Sequence, residues 1–131
     1  VAKHLADQSH QFTQYSGVRP NGVALIIAGV DQKGESIYVT DPSGTYVQYA
    51  AIAIGAGSDE VNTFLEKHYN PNMSLSDAAA LAIASINLKA EQKEGLNHIK
   101  MAKVTTEKKI FEKVSESDLQ NYSKNASKFT A

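Results

Sequence analysis

Nine uncharged residues in a row, GVALIIAGV at 22–30, are hard to place anywhere but in a strand that is covered on both faces. The residues after them leave no room for the crossovers of a parallel sheet. A four-residue DQKG turn leads into a second strand, ESIYVT at 35–40, and TYVQYAAIAI starts a third at Thr45. Such short connections join antiparallel strands. Between the second and third strands, Asp41, Pro42, Ser43 and Gly44 stand where a type I turn favours Asp, Pro and Gly. The third apolar stretch is long for one strand. It is expected to bend near Ala50 or Ala51 and to serve two ladders.

Helical periods flank this block. Val1, Leu5, Gln8, Phe12 and Tyr15 recur at helical spacing until Gly17 and Pro20 stop them. After Ser58, the stripe Val61, Phe64, Leu65 and His68 predicts a helix ending a little beyond Tyr69, before Pro71. Ser74 and Asp77 form an S-x-x-D start for another helix, whose buried face is expected to be Leu75, Ala79, Ala82, Ile83 and Ile86. The polar segment KAEQKEGLN breaks it. Residues 98–106 and 109–114 then read as a hairpin with Glu107 and Lys108 near its tip. Ser115 and Asp118 start a last short helix, and the polar tail beyond about Asn125 is expected to fray. The order helix, three strands, two helices, two strands, helix gives an α+β domain with antiparallel sheets.

Composition narrows the function classes. A net charge of −1, with lysines scattered along the chain, gives no footprint for nucleic acid or acidic membranes. The absence of cysteine removes disulfides, thiolate chemistry and Cys-based zinc sites, and it fits a reducing cytoplasmic setting. No apolar stretch reaches membrane-spanning length. With Val1 already inside a helical pattern, the chain reads as a continuation, without signal peptide or initiator methionine.

The stretch IAIGAGSDEV at 52–61 is the best candidate for a functional loop. Its strand, glycine turn and helix invite a dinucleotide reading, but the third glycine is missing, and Asp59 and Glu60 would repel a phosphate. The G-x-S-x-G elbow fails too, because Ser58 follows Gly57 directly. Gly55 and Gly57 are therefore expected to turn the chain sharply, and Ser58 to cap the helix. His4, Asp7 and His10 share a helix side, but with no fourth ligand they read as an exposed polar face. His68 reads as a packed boundary residue and His98 as the start of a strand with no acid nearby. Asp31 heads a turn with lysine where a calcium ligand would be needed. Asp41 has a structural explanation in a side-chain to backbone bond within its turn. No catalytic, cofactor or metal residue is expected.

Three segments then match a known pattern in order and spacing: GVRPNGVALIIAGVD, YVTDPSGTYVQYAAIAIGAGSDEVNTFLEKHY and MSLSDAAALAIASI. They resemble proteasome α-type subunits, especially the archaeal kind, which carry a GxRPFG approach to a strand, a DPSG turn, an AIGxGS turn into a helix, and a second helix opened by Ser or Thr. The resemblance spans nearly all of residues 1–125. Asn21 departs from it by replacing the usual aromatic ring.

The resemblance implies the second half of the four-layer α/β/β/α sandwich of N-terminal-nucleophile hydrolases. It also implies that residues 1–131 are the C-terminal portion of an α-type domain. The gate segment, the first strands and the lysine-bearing pocket for activator tails would lie in the other half. As function, it implies a non-catalytic member of a seven-membered α ring that stacks on β subunits, restricts substrate access and receives an ATPase activator complex. The related β-type subunits are threonine proteases, and a β-type subunit with its nucleophile outside these residues is the alternative. Their Asp-x-x-Ser-Gly pattern is absent here, where the sequence reads KAEQKEGLNH. Strands that lose half their sandwich would expose apolar faces, so self-association of the isolated chain is expected.

Overall fold

The computed structural model describes residues 1–14, 22–89 and 95–130. The readings made for Tyr15, Gly17, Pro20, Asn21 and residues 90–94, and for the His10 and Phe12 side chains, lie outside the described residues. The chain divides into two compact units, Val1–Ala50 and Ala51–Ala131. Both are built of helices and antiparallel sheet, the α+β organisation read from the sequence.

The first unit contains helix α1 (Ala2–Gln14) and strands β1 (Leu25–Asp31), β2 (Gly34–Thr40) and β3 (Tyr46–Tyr49). The strands form one sheet in the order β1-β2-β3, antiparallel throughout. Asp31 pairs with Gly34 across the first turn, where the Asp31 carboxylate accepts the Lys33 N–H at 2.7 Å and Gly34 takes φ 113°. That left-handed backbone is open to glycine at little cost. α1 packs on β2 and β3. In its described part, Ala2 and Ala6 are the buried residues, while Leu5 is half-buried and Gln8 exposed.

The register assigns the sheet's two faces. Ile26, Val39 and Val47 form one cross-strand row, and Ala28, Ile37 and Tyr49 form the next, all on the same face. This face is apolar and open. Ile26 is 43% exposed and Val47 51%. The expectation that the run at 22–30 is covered on both faces is thus corrected for the chain by itself: β1 has no buried residue. Continuous apolar sequence suits a strand with double cover, and among the described residues β1 does not receive it.

The second unit contains α2 (Ser58–His68), α3 (Leu75–Asn87), a 3-10 turn (Gly95–His98), the hairpin strands β4 (Ala102–Val104) and β5 (Phe111–Lys113), and α4 (Glu116–Thr130). The third apolar stretch does bend at Ala50 and Ala51, but residues 52–54 join no sheet ladder. His98 closes the 3-10 turn instead of starting a strand, and the hairpin is shorter than the sequence suggests.

Helix α3 is apolar almost all round, and α4 determines which side is buried. Ala80, Leu81, Ile83, Ala84 and Ser85 are enclosed, whereas Leu75, Ala82 and Ile86 of the expected face are exposed. Ile83 and Ala84 form a cluster with Leu119 and Ala126 of α4, against which Phe64, Tyr122 and Phe129 pack. The tail expected to fray is therefore helical to Thr130. Leu119, Tyr122, Ala126 and Phe129 make an i, i+3, i+7, i+10 stripe, and burying it on α3 outweighs the polarity of the intervening residues. Val61, Leu65 and Leu81 form a second cluster with Ala51 and Ala53 packed against it.

Candidate functional site

Two turns hold the residues singled out in the sequence. In the first unit, the Asp41 carboxylate organises residues 41–45. Its Oδ1 accepts the Ser43 N–H at 2.8 Å, the Ser43 hydroxyl at 2.5 Å and the Thr45 N–H at 3.2 Å, while Oδ2 accepts the Thr45 hydroxyl at 2.5 Å. Backbone bonds close the loop: Gly44 N–H donates to the Asp41 carbonyl at 3.2 Å, and Asp41 N–H to the Thr45 carbonyl at 3.1 Å. Gly44 supplies the left-handed corner at φ 91°. Bonds donated by Ser43 and then by Thr45 favour the ionised form and hold the Asp41 carboxyl down at about 2.

In the second unit, Gly55 and Gly57 both have positive φ, 106° and 76°. Gly57 itself is the N-cap of α2, and no side chain caps the helix. This corrects the expectation for Ser58. A capping side chain must sit on the non-helical residue just before the helix, and Ser58 is already its first helical residue. Its N–H donates instead to the Gly55 carbonyl at 3.2 Å, closing the turn. The first turn of the helix carries Asp59 and Glu60, whose charge suits the positive helix end. An anionic ligand there would meet two carboxylates.

Two partners of this turn were not read from the sequence. The Lys89 side chain lies over Gly57, where an added Cβ would stand 3.1 Å from the Lys89 Cε, and its ammonium pairs with Glu60. Asn62 makes both bonds of a ladder residue to Ala53: its Oδ1 accepts the Ala53 N–H at 2.7 Å, and its Nδ2 donates to the Ala53 carbonyl at 3.1 Å. Sequence spacing could have suggested Asn62, a short amide one residue from the buried Val61. Nothing local marks Lys89.

The other candidates are dispersed. His4 is exposed, and Asp7 is taken by Lys3 at 2.7 Å. Among the described residues no group of three His, Asp or Glu side chains is placed to hold a metal. His68 is half-buried between Phe64 and Phe129, with ring centroids 4.4 and 5.9 Å away. At the start of α3, the Ser74 Oγ accepts the Asp77 N–H at 3.1 Å and donates to its carboxylate at 3.0 Å, the cap expected there. Beside α3, an open trough of about 260 Å³ is lined by aliphatic side chains such as Leu75, Ala79 and Val104, with Lys103 and Tyr122 at its wall. The Lys103 ammonium lies 3.5 Å from the Tyr122 hydroxyl and 4.0 Å from Glu112.

Similarity to known proteins over most of the chain is what decides the family. Residues 1–104 match the proteasome subunit family. The chain belongs to that family. Proteasome subunit alpha of Archaeoglobus fulgidus is 40% identical to it over 122 residues, covering 93% of this chain and 49% of that protein. The Pyrobaculum aerophilum protein of the same name is 40% identical over 119 residues, covering 91% of this chain and 49% of its own length. That of Saccharolobus islandicus strain L.S.2.15 is 37% identical over 124 residues, covering 93% and 52%. The chain thus spans about half the length of the proteasome subunits it matches. Its helices and antiparallel sheets agree with the α+β fold of the N-terminal-nucleophile hydrolase type. Among the described residues no helix is long and apolar enough to cross a membrane.

Proposed function

We propose that this chain is the C-terminal portion of a non-catalytic α-ring subunit of a proteasome core particle. The observation that carries this reading is identity of 37–40% over more than nine-tenths of the chain to three proteins each named proteasome subunit alpha. In this role it joins other α subunits in a seven-membered ring, stacks on β subunits, and helps to restrict substrate access and to seat an ATPase activator complex, in the cytoplasm. Asp41, Pro42, Ser43 and Gly44, and likewise Gly55, Gly57 and Ser58, then serve as structural turns. The chemistry of the turns supports this, since the Asp41 oxygens are engaged by their own loop and the N terminus of α2 carries carboxylates of its own.

The test is a chimera in which this chain replaces the matching half of the Archaeoglobus fulgidus subunit. Electron microscopy is expected to show seven-membered rings, and fluorogenic peptides are expected to stay uncleaved. Failure to form rings where the parent subunit forms them, or turnover blocked by a threonine-directed inhibitor, would overturn the proposal.

A further inference from the structure

Asp41 stands directly before Pro42, and this is the only Asp–Pro bond in the sequence. The proline nitrogen belongs to a tertiary amide and carries no N–H. It cannot attack the aspartate side chain, and it takes a proton more readily than a secondary amide nitrogen does. Attack in the other direction stays open. A carboxylate oxygen can reach the carbonyl carbon of its own residue, closing a five-membered ring with the advantage of an intramolecular nucleophile. The turn at 41–45 presents the parts of this reaction and holds one of them back. The Asp41 carbonyl accepts the Gly44 N–H at 3.2 Å, a donor that would also bind negative charge on that oxygen as the carbon becomes tetrahedral. The nucleophile is restrained: Oδ1 accepts the Ser43 and Thr45 N–H groups at 2.8 and 3.2 Å and the Ser43 hydroxyl, and Oδ2 accepts the Thr45 hydroxyl. Among the described residues no cation pairs with Asp41, so hydroxyl and N–H donors hold the carboxylate. Asp41 is half-buried and Ser43 exposed, which leaves the loop open to water.

We propose that the Asp41–Pro42 bond is a latent self-cleavage site, kept closed by the hydrogen bonds that Ser43 and Thr45 donate to the Asp41 carboxylate. In the step itself, a carboxylate oxygen of Asp41 bonds to the Asp41 carbonyl carbon, the C–N bond to Pro42 breaks, and the nitrogen leaves with a proton taken from solvent acid. Water then opens the cyclic anhydride. One water is consumed, Asp41 becomes a C-terminus with two carboxyl groups, and Pro42 becomes a secondary-amine N-terminus. The cut falls between β2 and β3, which pair from Ile37–Tyr49 to Thr40–Tyr46 without help from the covalent link. The two pieces therefore stay together until the sheet unfolds.

The experiment uses the chimera with the Archaeoglobus fulgidus subunit, so that the turn is read inside a full-length chain. The protein is held at about pH 4, where an ordinary carboxylate is partly ionised and acid is available to the nitrogen. Denaturing mass spectrometry follows pieces that end at Asp41 and begin at Pro42. Scission is expected to be about tenfold or more slower in the native protein than in urea, since the carboxylate must first give up its charge-assisted hydrogen bonds. Ser43→Ala combined with Thr45→Val is expected to raise the native rate about threefold or more and to leave the rate in urea unchanged. Thr45→Ser retains a hydroxyl and is expected to keep the bond protected. Asp41→Asn removes the nucleophile and is expected to stop scission in both states. Equal rates in the native protein and in urea overturn the proposal. So does a native rate unmoved by the double substitution, or a cut before Pro42 that persists in Asp41→Asn. None of these readouts depends on ring formation.

Discussion

In residues 51–131, Ile83 and Ala84 are fully enclosed in a cluster with Leu119 and Ala126 of α4, while among the described residues of 1–50 only Ala2, Ala6 and Thr40 are buried. Yet the more apolar stretch is in the first unit, where Leu25–Val30 of GVALIIAGV lie in a strand without one buried residue. The contrast shows that apolar content alone does not make a core. In the second unit, α3 and α4 are joined within the same segment of chain and pack on each other, so each covers the other's stripe. The first unit places α1 on one side of a three-stranded sheet and leaves the rows Ile26–Val39–Val47 and Ala28–Ile37–Tyr49 facing outward.

The largest expected effect is therefore on association. A soluble monomer rarely exposes more than about 400 Å² of contiguous apolar surface, and a flat sheet with open edges adds a template for pairing. Light scattering of the purified chain is expected to give a mass above 14.1 kDa, or mass spectrometry to find the other half of the subunit co-purifying. Ile26→Lys combined with Val47→Lys puts two charges on the open face and is expected to lower the associated fraction. A compact 14.1 kDa monomer with a cooperative thermal transition and nothing bound would erase the distinction between the units.

Within the closed unit, Ile83→Ala is expected to cost about 2–5 kcal/mol, because it removes buried methyl and methylene groups and leaves a cavity. Ile83 is the largest side chain that is fully buried among the described residues. The matching change in the open sheet, Ile26→Ala, removes atoms already in contact with water and is expected to cost less than about 1 kcal/mol in the dissociated chain. Urea titration of both variants checks the difference, and equal losses would mean that the open face is covered in solution.

How much of this could be read from sequence depended on how far apart the interacting residues lie. The Asp41 turn and the Ser74–Asp77 cap were legible because each is settled within five residues by the chain's own hydrogen-bonding groups. The family was legible for a different reason, since several short motifs recur at fixed separations. The buried face of α3 was misjudged at Leu75, Ala82 and Ile86 because a helix apolar on every side carries no periodic signal, and α4 makes the choice from more than thirty positions away. Lys89 over Gly57 escaped notice for the same reason. The stripe of α4 was there to be read in Leu119, Tyr122, Ala126 and Phe129, but polar residues between them suggested fraying.

A smaller effect is expected at the turn into α2. Gly57→Val must take a positive φ and also press against the Lys89 stem, so a loss of more than about 1 kcal/mol is expected. Gly55→Val meets the same backbone strain with no atom within 4 Å of the added Cβ, so it is expected to cost less than Gly57→Val. Ser58→Ala, which deletes no cap bond, is expected to change the melting temperature by little, whereas Ser74→Ala should cost about 1 kcal/mol. Equal effects for the two serines would show that Ser58 does cap α2 in solution.

The smallest effect belongs to Asp41, where the open unit holds its tightest local structure. Its carboxyl is held at about 2 by hydroxyl and backbone donors from Ser43 and Thr45, below the ordinary carboxylate value of about 4. A depressed folded-state pKa means that the unfolded chain binds its proton first. The stabilisation is thus fully present above about pH 4 and is lost as the pH falls toward about 2. Asp41→Asn keeps one acceptor oxygen but loses the charge, so a variant of unchanged shape is expected to lack this one acid transition. The readout should be local, since other carboxylates titrate in the same range: NMR shifts of Ser43, Gly44 and Thr45 followed from pH 5 to about 2. Amide shifts that move with a midpoint near 4, as for a free carboxylate, would mean that the turn opens in solution and is not held by Asp41.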